Sequence, residues 1–394
     1  MTRLIEFLIA LGIVAGLALL VGVVLPDHRH ISESVETNRR MTIVYDTVNN
    51  LRRFRDWNPL VLRDPRVELR TSGAESGVGA RLDFVSQDDR IGAGSWEIVE
   101  SIPNEKVVIK IDDASKGSDK TTQFLLESTG KNNRNVKITQ TYDVEYGWDL
   151  VGRYAGLYVS RHIGDDMKLG LSRMTNMLAT VPNFDYRADN ITLRDLAIVD
   201  VPAEDLLVVN AGNVDRSNEA IRQSIKNNQE WIKRTLDANN LEPAGPVRII
   251  TTDFGQEKYA FDVALPIRRK GSAPAAQDAP ASVEGGDADE AAQAAAKAAQ
   301  AAEFAKPVAV AGEPLVVKIP DGAPVEYVRT KPARSAFGSF SGFMAELDVV
   351  RNSVRAWATT NGYEVTDRPY EVWEGGVDKA FTAEGEYDVY WHIK

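Results

Sequence analysis

Two groups of residues in this chain carry the means to do chemistry. The first is His162 with Asp165 and Asp166, whose spacing of three and four residues places them on adjoining turns of a helix. A histidine beside carboxylates is an acid-base pair that works near neutral pH. The same run, Arg161-His162-Ile163-Gly164-Asp165-Asp166, reads equally as a polar break in a solvated helix. The second group is Pro369-Tyr370-Glu371-Val372-Trp373, a carboxylate set among aromatics. Ring faces attract a cation by roughly 0.5 to 2 kcal/mol, and a desolvated carboxylate adds selectivity for positive charge. His28 and His30 border an apolar segment and need no metal to explain them. The chain shows no HExxH, no Ser-His-Asp order and no phosphate-cradling glycine loop. Its lack of cysteine removes thiol nucleophiles, disulfides and Cys-ligated zinc together. Neither a metal nor a cofactor is implied, and ligand binding is expected ahead of catalysis.

The elements that position these residues belong to a chain of 394 residues, long enough for two ordinary domains. Its 46 Lys and Arg against 57 Asp and Glu give a net charge of -11, which argues against nucleic acid as a partner because phosphate contacts need clustered bases. From Phe7 to Leu25 the chain is uncharged and apolar, long enough as a helix to cross a hydrocarbon core of about 30 Å. A secretory signal is the rival reading, but Val23-Val24-Leu25 before Pro26 offers no small-x-small cleavage site. Residues 4–25 are therefore expected to be a single-pass anchor in a bacterial-type inner membrane. The short N-terminal tail and the missing cysteine favour the periplasmic side for the bulk.

After the anchor, residues 31–182 read as a strand, a short helix over 42–54, a meander of short alternating strands from Val67 to Val144, and a helix over 149–178. Met167, Leu171, Met174 and Leu178 form one stripe of that helix. This order resembles the START-like helix-grip superfamily, also called polyketide cyclase or SRPBCC proteins. Phe54-Arg55-Asp56-Trp57-Asn58-Pro59, Gly77-Val78-Gly79-Ala80 and the segment from Gly92 to Asn104 carry the likeness, and Ile163 to Leu171 fits the gripping helix. The resemblance implies a pocket between sheet and helix. Its expected lining is Trp57, Phe84, Trp96, Phe124, Tyr142, Tyr154, Tyr158, Met167, Leu171 and Met174. An apolar stripe of this kind is also what plain core requires.

The last two hundred residues hold two similar halves. Leu206 opens the first, which passes through a helix from Ile221 to Asn240 and closes near Ile267. The second opens with a strand at Val325, passes through a helix from Met344 to Asn361 and ends in Tyr370 to Trp373 and Glu386 to Ile393. Each helix carries a tryptophan, Trp231 or Trp357, shortly before an Asn-containing end, and each final strand contains Asp-Val. Duplicated units usually pack about a pseudo-dyad with a groove between them. With Asn361-Gly362-Tyr363 and the Pro-x-Glu-x-aromatic strand, residues 191–394 resemble the gyrase-inhibitor-like domain, the effector-binding module of multidrug-responsive transcription activators. The resemblance implies a cleft for amphipathic, often cationic compounds, with Glu371 in the charge-reading place. Candidate walls are Tyr327, Phe340, Phe343, Tyr370, Trp373, Tyr387 and Trp391, residues that strand propensity and core filling also explain. No helix-turn-helix segment precedes the domain. A Pro-, Ala- and Gly-rich insertion over 268–312 interrupts it.

The expected architecture is α+β: a membrane helix, a helix-grip antiparallel sheet with a long closing helix, then a duplicated β-α-β-β domain. The expected function is membrane-anchored binding of a small hydrophobic or amphipathic molecule, as sensor, carrier or sequestering protein. An enzyme of the cyclase or hydrolase type using the helix-grip pocket is the alternative. Ligand identity and oligomeric state are not encoded legibly.

Overall fold

A computed structural model describes residues 2–188, 193–271 and 314–394, which fall into two compact units that divide near residue 188, with Ala356–Tyr363 grouped with the first. The first unit begins with α1 (Thr2–Val24), apolar and long enough to cross a membrane, with almost none of its surface buried by protein. Leu25, Pro26 and Asp27 are all that separates it from β1 (His28–Thr37). Six further strands follow: β2 (Glu68–Gly73), β3 (Ala80–Val85), β4 (Ala93–Ile102), β5 (Lys106–Asp113), β6 (Ser118–Thr129) and β7 (Asn135–Glu145). They form one antiparallel sheet in the order β1-β7-β6-β5-β4-β3-β2. Alternation of buried and open positions, clearest along Ala80–Val85, shows one face turned to a core. Three short helices, α2 (Met41–Val48), α3 (Phe54–Trp57) and α4 (Leu60–Arg63), connect β1 to β2.

The helix expected over 149–178 is broken in two. Asp149 caps α5 (Leu150–Ala155) by accepting from the Gly152 amide at 2.9 Å, a 3-10 turn spans Gly156–Tyr158, and α6 (Val159–Ala179) completes the run. The turn lies where the chain presses on Tyr146: a Cβ at Gly156 would stand 2.8 Å from that ring. Along α6 the buried residues Gly164, Met167, Gly170, Leu171, Met174, Met177 and Leu178 keep helical spacing and face the sheet. At Gly170 the helix approaches so closely that a Cβ would sit 3.2 Å from Pro59 Cδ.

The second unit is a nine-stranded sheet. Its elements are β8 (Leu193–Val201), β9 (Asp205–Asp215), α7 (Asn218–Asn239), β10 (Leu241–Pro243), β11 (Arg248–Phe254) and β12 (Lys258–Arg269), then β13 (Val325–Arg329), β14 (Ala333–Ser341), α8 (Leu347–Thr360), β15 (Tyr370–Trp373), α9 (Gly376–Ala380) and β16 (Glu386–Ile393). The order β13-β9-β12-β11-β15-β16-β14-β8, with β10 beside β12, is symmetric about the β11–β15 contact. Both main helices stop at residues with left-handed backbone, Asn240 (φ 53°) and Gly362 (φ 84°), as the Asn-containing ends implied.

This symmetry corrects the expected repeat. The strand matching β9 is Ala333–Ser341, because both precede their helix and both lie next to the final strand of their half. Val325–Arg329 instead pairs with β9 of the first half, and Leu193–Val201 pairs with β14 of the second. Each half thus contributes its leading strand to the edge of the other. The low-complexity tract over 272–313 lies outside the described residues.

Candidate ligand-binding site

A cavity of about 150 Å³ lies between the first sheet and α6. Five of the expected lining residues meet there: Trp57, Phe84, Trp96, Tyr142 and Met167. Trp57 and Trp96 are held edge-on, 6.4 Å apart, with Phe54 packed between them at 5.5 and 5.0 Å. Phe124 is fully buried behind this wall, 5.7 Å from Trp57, and Leu171 and Met174 are likewise core. Tyr154 and Tyr158 precede α6 and stand away from the cavity. The Tyr154 hydroxyl donates to the Ala18 carbonyl at 2.6 Å, and Tyr158 is 60% exposed.

Of the polar wall, sequence reasoning named Tyr142 and missed the rest. Asp113, Thr122 and Gln140 line the cavity beside it, from three neighbouring strands. Asp113 Oδ1 accepts from Lys120 Nζ at 2.6 Å, from Ser115 Oγ at 2.5 Å and from the Ser115 amide at 3.0 Å, leaving Oδ2 without a donor among the described residues. Burial disfavours the Asp113 charge, but the hydrogen bonds from Lys120 and Ser115 outweigh it and hold the carboxyl below its ordinary pKa. Lys120 is itself buried and spends its remaining protons on the Asp113 and Ser115 carbonyls at 3.1 and 2.6 Å. Gln140 donates to Thr122 Oγ1 at 3.1 Å, and Thr122 donates to the Thr141 carbonyl. Burial, reinforced by Asp113, pushes the Tyr142 hydroxyl well up, so it stays protonated and able to donate. The available signal was alternation: Ile111 and Asp113, like Gln140 and Tyr142, are two apart on one strand and share a face.

Of the His162 group, only Asp166 reaches the cavity. Burial raises its pKa, and Arg63, at 2.5 Å, opposes that rise. His162 is exposed, which leaves no histidine among the cavity-lining residues. His30 is accounted for by Asp143 at 2.6 Å. Both acids of the cavity therefore have a cation of their own.

In the second unit Glu371 is wholly buried. Its Oε1 lies 2.5 Å from Arg351 Nε, on α8, and Thr251 Oγ1 approaches the same oxygen at 3.5 Å. The Arg351 guanidinium sits over the rings of Phe254 and Tyr259 at 4.9 and 5.7 Å. Burial raises the pKa of Glu371 and Arg351 opposes it; because arginine stays protonated, the contact is an internal ion pair. The cation expected from a ligand is thus supplied by the chain. Strand alternation further separates the expected walls, since Trp373 shares the Glu371 face whereas Tyr370 points to the other, where it stacks on Tyr390 at 4.8 Å. Trp373 and Tyr387 are buried edge-to-face at 5.7 Å, and Phe340 stacks on Tyr387. Trp391 Nε1 donates to the Arg351 carbonyl at 2.8 Å. Tyr327 donates to Asp205 at the sheet edge, and Phe343 is half exposed.

No protein-family model matches the sequence, and none of the curated proteins does. Solved structures similar to parts of the chain include norcoclaurine synthase from Thalictrum flavum, with 12% identity over 39% of this chain and 97% of that one and a TM-score of 0.31. A protein from Thermobifida fusca aligns at 15% identity over 38% of this chain and 93% of that one, TM-score 0.31. EcmrR, solved in a complex with DNA, aligns at 15% identity over 63% and 72%, TM-score 0.34.

Proposed function

We propose that this chain is a membrane-anchored small-molecule-binding protein whose ligand occupies the cavity of the first unit. The observation that carries the reading is the two-sided lining, an aromatic wall of Trp57, Phe84 and Trp96 facing a polar wall of Asp113, Gln140 and Tyr142. A cavity of about 150 Å³ accepts a single six-membered ring. The ligand class is therefore a one-ring amphipath, or the ring end of a longer molecule, bearing a hydroxyl or amino group. Asp113 Oδ2 would accept from that group and the Tyr142 hydroxyl would donate to it.

The alternative of an enzyme draws on the same polar wall, where a buried lysine and a carboxylate converge. Binding is favoured because Lys120 has all three protons engaged and Asp113 and Asp166 each have a cation partner. The test is fluorine NMR of 4-fluorophenol titrated into the full chain in detergent. Saturable broadening is expected, and Ile163→Trp, which fills the cavity from a half-buried position of α6, should abolish it. Broadening that survives Ile163→Trp sinks the assignment. Chemical conversion of the ring compound would move the reading to the enzyme.

A further inference from the structure

The segment that joins the first sheet to α6 exposes large apolar side chains in quick succession: Trp148 (81% exposed), Val151 (67%), Leu157 (51%) and Tyr158 (60%). Soluble surfaces scatter such residues singly; four within eleven positions call for a partner. The same segment is fastened to α1. Arg153 donates to the Val23 and Leu25 carbonyls at 2.7 and 3.0 Å, where the end of a helix leaves acceptors unpaired. Gly22 lies against Leu150 and Tyr154 so closely that a Cβ there would sit 3.3 Å from each. Tyr154 donates to the Ala18 carbonyl, and Ala18 is seven residues from Leu25, about 10 Å down the helix axis. With α1 spanning a bilayer, a side chain tied to Ala18 stands at the depth of the headgroup and upper acyl region.

We propose that Trp148–Tyr158 is a membrane seat, lying in the lipid interface and holding the first unit against the bilayer. The partner is a phospholipid surface. Tryptophan and tyrosine favour that layer because their rings are apolar at one end and polar at the other. Continuity with α1 supplies the occupant: Leu150 and Tyr154, inside the seat, pack directly on Gly22 of that helix. The sheet register adds an orientation. His28, the first residue of β1, pairs with Glu145, and Glu145 with Ser118, so these strand ends share one end of the sheet. Thr129 pairs with Asn135 at the opposite end. Tyr142 is three residues from Glu145, about 10 Å along its strand, so the cavity lies in the seat-proximal half. A ligand partitioned into lipid would have a short path to it.

The proposal rests on the membrane reading of α1, and the test separates the two. The chain has no cysteine, so single cysteines can be placed and labelled with an environment-sensitive nitrobenzoxadiazole dye without background. Val151→Cys and Tyr158→Cys report the seat. Leu11→Cys reports the middle of α1, and Lys131→Cys, exposed in the turn between β6 and β7 at the far end of the sheet, is the control. Full-length protein is reconstituted in phosphatidylcholine vesicles carrying either a headgroup-proximal or a mid-chain nitroxide lipid. The expected result is severalfold stronger quenching of the Val151 and Tyr158 labels than of the Lys131 label by the headgroup-proximal lipid, with Leu11 quenched most by the mid-chain lipid. Quenching at Leu11 with seat labels no more quenched than Lys131 overturns the seat and leaves the anchor standing. Seat labels quenched with Leu11 unquenched remove the span and retain the seat as a peripheral contact. Dye emission that shifts with protein concentration but ignores nitroxide lipid assigns the surface to a second copy of the chain and overturns the proposal.

Discussion

Asp388 is buried on the face of the second sheet that also carries Tyr370 and Tyr390, and its charged neighbours Glu374, Asp195 and Glu386 all share its sign. Burial first, and those acids after it, raise its pKa from 3.8 to about 7. Between these values the unfolded chain releases a proton that the folded chain keeps, so the folded state binds more protons and its stability falls as pH rises through this window. The full difference is on the order of 4 kcal/mol, gained below the lower value and lost above the upper. Asp388→Asn should flatten the pH dependence of urea unfolding between pH 4 and 7 relative to the parent chain, and should raise stability at pH 8. An unchanged slope would show that Asp388 ionises freely in the fold. This behaviour is not legible in the sequence, because it depends on Asp195 of β8, Glu374 just after β15 and Glu386 of β16 being brought around Asp388.

At the scale of elements, hydrophobic alternation and turn residues located the strands of the first sheet closely, since a half-buried strand must alternate. Less legible were features decided by contact: the break at Gly156 comes from Tyr146, and the polar cavity wall comes from inward Asp113 and Gln140, which a hydrophobic pattern treats as outward. Arg351 was invisible for a similar reason. It lies twenty residues before Glu371, and only the packing of α8 on β15 makes them partners. That pair fixes how the helix seats on the strand. Removing one partner leaves a buried charge, so Arg351→Met is expected to cost about 3–5 kcal/mol, whereas Arg351→Met with Glu371→Gln should recover most of the loss. Denaturant unfolding of the two variants measures this. Titration with tetraphenylphosphonium should give Glu371→Gln the affinity of the parent chain; a clear loss would restore the charge-reading role to Glu371.

On the scale of the molecule, the second unit is neither two domains nor a simple duplication. Its halves meet in three antiparallel pairings, β11 with β15, β13 with β9, and β14 with β8, and the last two arise because each leading strand closes the opposite half. Exposed strand edges invite association, and the exchange covers the edge of each half with chain from the other. The long insertion falls between β12 and β13, where the first half has been completed and the second has not begun. Covalent continuity at that point is therefore dispensable to the fold. If a protease site is introduced between Gly271 and Pro314 and cut, the two fragments should remain together through gel filtration and separate only in denaturant. Expressed as two separate polypeptides split at the same place, they should assemble on mixing. In engineering terms the insertion is a permissive splice site: a tag, a reporter or a whole foreign domain placed there should leave β13 and β8 locked on their exchanged edges.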